Sequence, residues 1–154
     1  MTSSTAPLTL RAIANTDFEP WRALWLAYQD FYEVELGDAV NHTTFQRLLD
    51  SNEPMFAAVA EQNGELVGLV HAVIHRSTWS STHYCYLEDL YVAPHVRGQG
   101  TGEQLIAWVK ESSVTIRPGQ TASSSSCLPT TLPARSARCR YLPPPDVSRE
   151  TAGR

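Results

Sequence analysis

Apolar and polar residues alternate over residues 8–13, which predicts a first β-strand. Trp21, Leu24, Trp25, Tyr28 and Phe31 then recur at helical spacing, so this helix turns one face inward and its tryptophans read as core. Its start carries a capping-box pattern, Thr16-x-x-Glu19, with Pro20 tolerated in the first turn. A shorter helix is predicted over residues 43–49, with Phe45, Leu48 and Leu49 as its apolar positions. Residues 55–60 form a compact apolar run that ends at Gln62-Asn63-Gly64, and residues 65–74 form a partner run. Asn-Gly between two such runs predicts an antiparallel hairpin, because both residues accept positive φ. A polar loop over residues 76–83 leads to a strand over residues 84–92, closed by Pro94. Leu105, Ile106 and Val109 mark the inner face of a last helix. The order β-α-α-β-β-β-α predicts a three-layer α/β domain on a mostly antiparallel sheet.

This patterning stops near residue 112. Residues 113–154 hold 7 serines, 6 of the 10 prolines, and no Trp, Phe or Lys. Their few apolar residues, among them Val114, Ile116, Leu128 and Tyr141, follow neither a helical nor a strand period. The chain thus divides into a folded domain at 1–112 and a low-complexity, disordered tail at 113–154. The break falls inside a predicted helix, and the Arg, Pro, Ser and Ala richness beyond it resembles GC-rich coding DNA read out of frame. A frameshift near codon 112 is favoured over a natural disordered extension, and an intact alternative frame in the gene is the test between them.

Charge divides at the same place. Residues 1–112 carry 14 acidic and 6 basic side chains, a net of −8, whereas residues 113–154 carry 2 acidic residues and 6 arginines, a net of +4. An acidic body argues against nucleic acid as a partner and suits a cationic small molecule. Cys85, Cys127 and Cys139 form no metal-ligand or disulfide spacing, and His71, His75 and His83 fit no zinc pattern. The expectation is therefore no bound metal and a reducing, cytoplasmic setting. The first residues lack a basic stretch followed by an apolar core, and no apolar run reaches transmembrane length, so no membrane partner is expected.

The chemistry concentrates in YLEDLYVAPHVRGQGTGEQLIAWVK, residues 86–110. It reads as a strand, a glycine-rich turn and a helix, an arrangement that leaves backbone N–H groups free at the positive end of a helix dipole. A P-loop needs GxxxxGK[ST], which is absent. A dinucleotide fingerprint needs GxGxxG, and its last glycine would fall on Glu103. Glycines 98, 100 and 102 let backbone approach a diphosphate, while Glu103 in the next turn would repel one. The acidic pair Glu88 and Asp89 precedes them on the strand. As neighbours on a strand they are expected to alternate faces, so that one enters the site and the other anchors structure.

The run Arg97-Gly98-Gln99-Gly100-Thr101-Gly102 matches [QR]xxGx[GA] and resembles motif A of the GNAT superfamily of acyl-CoA-dependent N-acyltransferases. The stretches FYEVELGDAV, EPMFAAVAEQNGELVGLVHAVIHRSTW and YCYLEDLYVAP are similar to a subgroup that acetylates polyamines and related small amines. The resemblance covers residues 8–111. It implies acetyl-CoA as co-substrate, with its pyrophosphate on the turn of Arg97, Gly98, Gln99, Gly100, Thr101 and Gly102. It also implies backbone groups of Leu90, Tyr91 and Val92 beside the acetyl carbonyl, and Glu88 or Asp89 as the carboxylate that binds a small-molecule amine and takes its proton. Tyr32 and Glu33, at the end of the first helix, fall where the resemblance implies an acceptor-pocket wall, and a homodimer is a further implication. The family's fold continues with a fifth strand, a fourth helix and usually two more strands, which 113–154 does not show. The alternative to an active N-acetyltransferase is thus a catalytically impaired CoA-binding remnant.

Overall fold

A computed structural model describes residues 7–78, 80–115 and 139–141. Strand β1 (Thr9–Ala12) leads to helices α1 (Phe18–Phe31) and α2 (Asp38–Leu49), then to strands β2 (Met55–Gln62), β3 (Glu65–Ser77) and β4 (Ser80–Val92), and to helix α3 (Thr101–Thr115). A three-residue strand, β5 (Cys139–Tyr141), follows. The sheet runs β1-β2-β3-β4-β5, antiparallel throughout except that β5 lies parallel to β4 at Cys85, Tyr86 and Leu87. The element order is the one the pattern predicted, and the hairpin turn has its expected positive φ at Asn63 (55°) and Gly64 (79°). Strand β5 was not predicted, and the remaining residues of the expected tail and frameshift, from 116 on, lie outside the described residues.

Helices α1 and α2 pack on one face of the sheet and α3 on the other. Alternation sends Phe56, Ala60, Gly68 and Val70 toward α3, where Leu105 and Val109 are fully buried. A Cβ on Gly68 would meet Leu105 Cδ1 and the Tyr91 carbonyl oxygen, each at 3.2 Å, so glycine here sets how closely α3 approaches. On the opposite face Trp21, Trp25, Phe45 and Leu48 close the core.

Two local expectations are corrected. Helix α1 is entered through a 3-10 turn at Asn15–Asp17, and Asp17 organises that turn where Thr16 was expected to. The Asp17 carboxylate accepts the Ala14 N–H (2.8 Å) and pairs with Arg11 (2.6 Å), which also reaches Glu61 on β2 (2.9 Å). The Arg11 hydrogen bond holds the Asp17 carboxyl below the usual carboxylate range, outweighing the opposing effect of burial. Phe31, read as part of the inward stripe, is 68% exposed, because the helix ends there.

Candidate functional site

The site begins with one extra residue in β4. Asp89 pairs with His71 and Leu87 with the next residue of β3, Ala72, so Glu88 is left over as a β-bulge. A regular strand would send Glu88 and Asp89 to opposite faces, as the sequence predicted. The bulge cancels that alternation, and both carboxylates line one cavity of about 260 Å³ on the α1/α2 face. Sequence does carry a trace of this. The apolar positions Cys85 and Leu87 resume at Leu90 and Val92, a three-residue step where period two requires two or four. The parallel pairing with β5 covers Cys85 to Leu87 and stops at the bulge. From Glu88 onward, the second edge of β4 has no strand partner among the described residues.

Asp89 is fixed from behind by a buried chain of hydrogen bonds. Trp21 Nε1–H can only donate, and it lies 3.0 Å from His71 Nε2, so that nitrogen accepts. The proton of a neutral His71 is then on Nδ1, which donates to Asp89 Oδ2 at 2.9 Å. Burial, and next the Asp89 charge, raise the Tyr28 phenol above its ordinary value, so Tyr28 stays protonated beside the carboxylate. Glu88 has no such fixed partner. Although the residue is exposed, its carboxyl is pushed above the usual carboxylate range, first by partial desolvation and next by Asp89, with His71 opposing. One carboxylate is anchored and the other is free to exchange a proton.

A second network shapes the cavity wall. Asn41 Oδ1 accepts from Trp25 Nε1 (3.0 Å) and Gln29 Nε2 (2.9 Å), and Gln29 Oε1 accepts the Leu36 N–H (3.0 Å). These bonds hold α2 and the residues before it against α1. Gln29 and Asn41 were missed in the sequence, although each polar residue stands four residues from a buried aromatic, Trp25 and Phe45. Tyr32 and Glu33 are not among the cavity-lining residues. They form the end of α1, where Glu33 N–H reaches Asp30 O (3.0 Å), Val34 N–H reaches Gln29 O (3.0 Å), and Glu33 takes φ of 56°. This is a Schellman turn with glutamate at the position usually held by glycine. A larger open depression of about 540 Å³, between the starts of α1 and α2, is lined by no residue of β4 or the turn after it.

That turn is built to present backbone. Gly98 (φ 78°) and Gly100 (φ 79°) lie in the left-handed region, and nothing stands within 4 Å of where a Cβ would be. The first bond into α3 runs from Gln104 N–H to Gly100 O (3.1 Å), so the N–H groups of Thr101, Gly102 and Glu103 have no intrahelical acceptor. Arg97 does not point its charge into this space. It donates to Val92 O (2.9 Å) and lies 5.6 Å over the Tyr91 ring, which ties the turn to the end of β4. Open space, converging donors and a helix dipole suit a diphosphate. The exposed Glu103 beside them is the one feature that opposes it. Among the described residues no group of three histidines, cysteines or carboxylates is placed to hold a metal ion.

The fold is an α/β domain with a backbone turn suited to an anion, and comparison with known proteins gives its family. The sequence model of the acetyltransferase (GNAT) family matches residues 20–116, and the chain belongs to that family. It is 33% identical over 104 residues to a D-amino-acid N-acetyltransferase of Saccharomyces cerevisiae, covering 66% of this chain and 65% of that protein. It is 31% identical over 99 residues to an aminoalkylphosphonate N-acetyltransferase of Salmonella typhimurium, covering 62% of this chain and 57% of that protein. The chain therefore spans less than two thirds of the length of either relative. Among solved structures it shares the fold of an aminoglycoside N-acetyltransferase in complex with CoA, with TM-score 0.65, 22% identity, and coverage of 82% of this chain and 81% of that one.

Proposed function

We propose that this protein transfers an acetyl group from acetyl-CoA to the nitrogen of a small primary amine. The observation that carries the reading is the bulge at Glu88. It brings two carboxylates into one cavity, where the pairing of β4 with β5 ends among the described residues, on the strand that leads into the diphosphate-suited turn. An amine is a nucleophile only when neutral, so a carboxylate with a raised proton affinity and solvent access is the base the reaction needs. Glu88 takes the proton, directly or through water, and Asp89, held by His71, orients the amine. Backbone donors from Leu90, Tyr91 and Val92 polarise the acetyl carbonyl, and the amides of residues 98–103 hold the pyrophosphate. The N–C bond forms as the C–S bond breaks, and the second proton that the nitrogen sheds passes through solvent and balances the one that the released thiolate takes up. No enzyme nucleophile is required. The relatives' names describe small amines as acceptors, a D-amino acid in one and an aminoalkylphosphonate in the other, which supports an acceptor of that size.

A second reading, a domain that binds CoA without turnover, is favoured by the short β5, which covers only three residues of β4. Calorimetry with acetyl-CoA, followed by thiol release with a panel of amines, separates the two. Binding with amine-dependent thiol release is expected. Binding without release selects the second reading, and absence of both overturns the CoA assignment.

A further inference from the structure

The cavity that holds the two carboxylates of β4 is also lined by an arginine of α2. Arg47 sits on α2 one turn after Thr44, and both side chains line the same space as Glu88, Asp89, Leu36 and Met55. Its ion pair with Glu53 is long, 3.9 Å at Nε, and it makes no hydrogen bond among the described residues. The other arginines near the core are occupied: Arg11 by Asp17 and Glu61, Arg22 by Asp38, and Arg97 by Val92 O and the Tyr91 ring. Arg47 is the arginine that lines the cavity, its long contact with Glu53 leaves its planar fork of donors without a hydrogen bond among the described residues, and Thr44 lines the cavity beside it.

We infer that the acceptor amine carries an oxyanion close to its nitrogen, as an α-amino acid does, and that Arg47 with Thr44 binds that oxyanion while Glu88 and Asp89 take the amine. This rests on the acetyl-transfer reading and gives it a substrate class. Carboxylates from β4 and a guanidinium from α2 in one cavity match a compact zwitterion. A polyamine would bring a second ammonium toward Arg47, where like charges repel. The cavity of 260 Å³, roughly eight or nine water volumes, has room for an amino acid with its side chain. Trp25, Leu36, Leu48 and Met55 on the walls suit an apolar side chain.

The test compares alanine, as both enantiomers, with ethylamine, which is alanine without its carboxylate, and with putrescine. Each is assayed by thiol release with the wild type, Arg47→Gln and Arg47→Lys, after circular dichroism confirms the fold of each variant. The wild type should prefer one alanine enantiomer to both amines. Arg47→Gln should lower kcat/KM for alanine by about 30-fold, chiefly through KM, and leave ethylamine unchanged, with partial recovery in Arg47→Lys. Equal use of alanine and ethylamine, a preference for putrescine, or an alanine preference that survives in Arg47→Gln overturns the inference and leaves acetyl transfer standing. If no amine is turned over, acetyl transfer itself fails. Binding of alanine, followed by line broadening of its NMR signals, then decides: loss in Arg47→Gln supports the anion site, and equal or absent binding overturns it.

Discussion

The two faces of the sheet are built by different rules. Toward α3 the contacts are apolar and tight, and Gly68 allows Leu105 to rest almost on the backbone. Toward α1 and α2 the core is aromatic and polar at once. Trp21, Trp25, Gln29, Asn41 and His71 are buried, and among the described residues no buried side-chain nitrogen or oxygen lacks a partner. An apolar face can be repacked while its volume is kept, whereas a buried hydrogen-bond chain tolerates no missing member. The α3 face therefore serves stability, and the other face spends stability on holding Asp89 in place. The bulge at Glu88 joins the two, because it adds a carboxylate to the polar face without disturbing Leu87 and Leu90 on the apolar one.

The largest effect that tests this division is expected from Glu88→Gln. It should lower kcat/KM for acetyl transfer by about 100-fold or more, because the proposed proton acceptor is gone while the shape remains. Stability should not fall. The folded-state pKa of Glu88 is raised, so its contribution to stability is full below the unfolded pKa and is lost as pH rises through the folded value. The amide removes that loss, and the thermal midpoint at neutral pH should stay level or rise. The acid limb of the kcat/KM profile, set by the raised carboxyl, should vanish in the variant. A variant that keeps its activity, or one that unfolds, would show that Glu88 is part of the scaffold.

His71→Leu should fail in both respects. It leaves Trp21 Nε1–H without an acceptor and Asp89 without its donor, a cost of about 3 kcal/mol for the two buried groups. Urea unfolding should show the stability loss, and thiol release should show that the folded fraction is also less active, since Asp89 has lost its orientation. Gly68→Ala on the apolar face should cost about 1–2 kcal/mol, because the Tyr91 carbonyl at 3.2 Å cannot easily move away. Its kcat/KM per folded molecule should match wild type. A Gly68→Ala protein of full stability but low activity would reverse the roles assigned to the two faces.

Much of this was legible in the sequence because it rests on local rules. Asn63-Gly64 marked the hairpin because both residues accept positive φ, and the glycines at 98 and 100 marked the anion turn because they let backbone approach a diphosphate. The polar face was harder to read. His71, Gln29 and Asn41 act through partners 50, 12 and 16 residues away, and no local pattern encodes such a distance. The bulge lay between these cases. Its one-residue slip in apolar phase is visible at Leu87 and Leu90, but only pairing with β3 shows which residue is extra. Nothing in the local sequence singles out Arg47 on its short helix. Its interest comes from the carboxylates that the bulge places in the same cavity.

The smallest effect lies at the edge of the polar face, where Glu33 caps α1. A glutamate at φ 56° carries a left-handed backbone penalty of about 1 kcal/mol, which glycine would not. Glycine also frees the unfolded chain, which offsets part of the gain. Glu33→Gly should therefore raise stability by about 0.5 kcal/mol, measurable as a shift in the urea midpoint at constant slope. The resemblance implied a role for Glu33 in the acceptor wall, whereas its position at the helix end, outside the cavity lining, points to a cap alone. Unchanged KM for the best acceptor amine, together with the stability gain, fits the cap. A rise in KM would mean that the strained backbone is kept because it carries the carboxylate to the substrate, and the functional face would then extend past Asp89 to the end of α1.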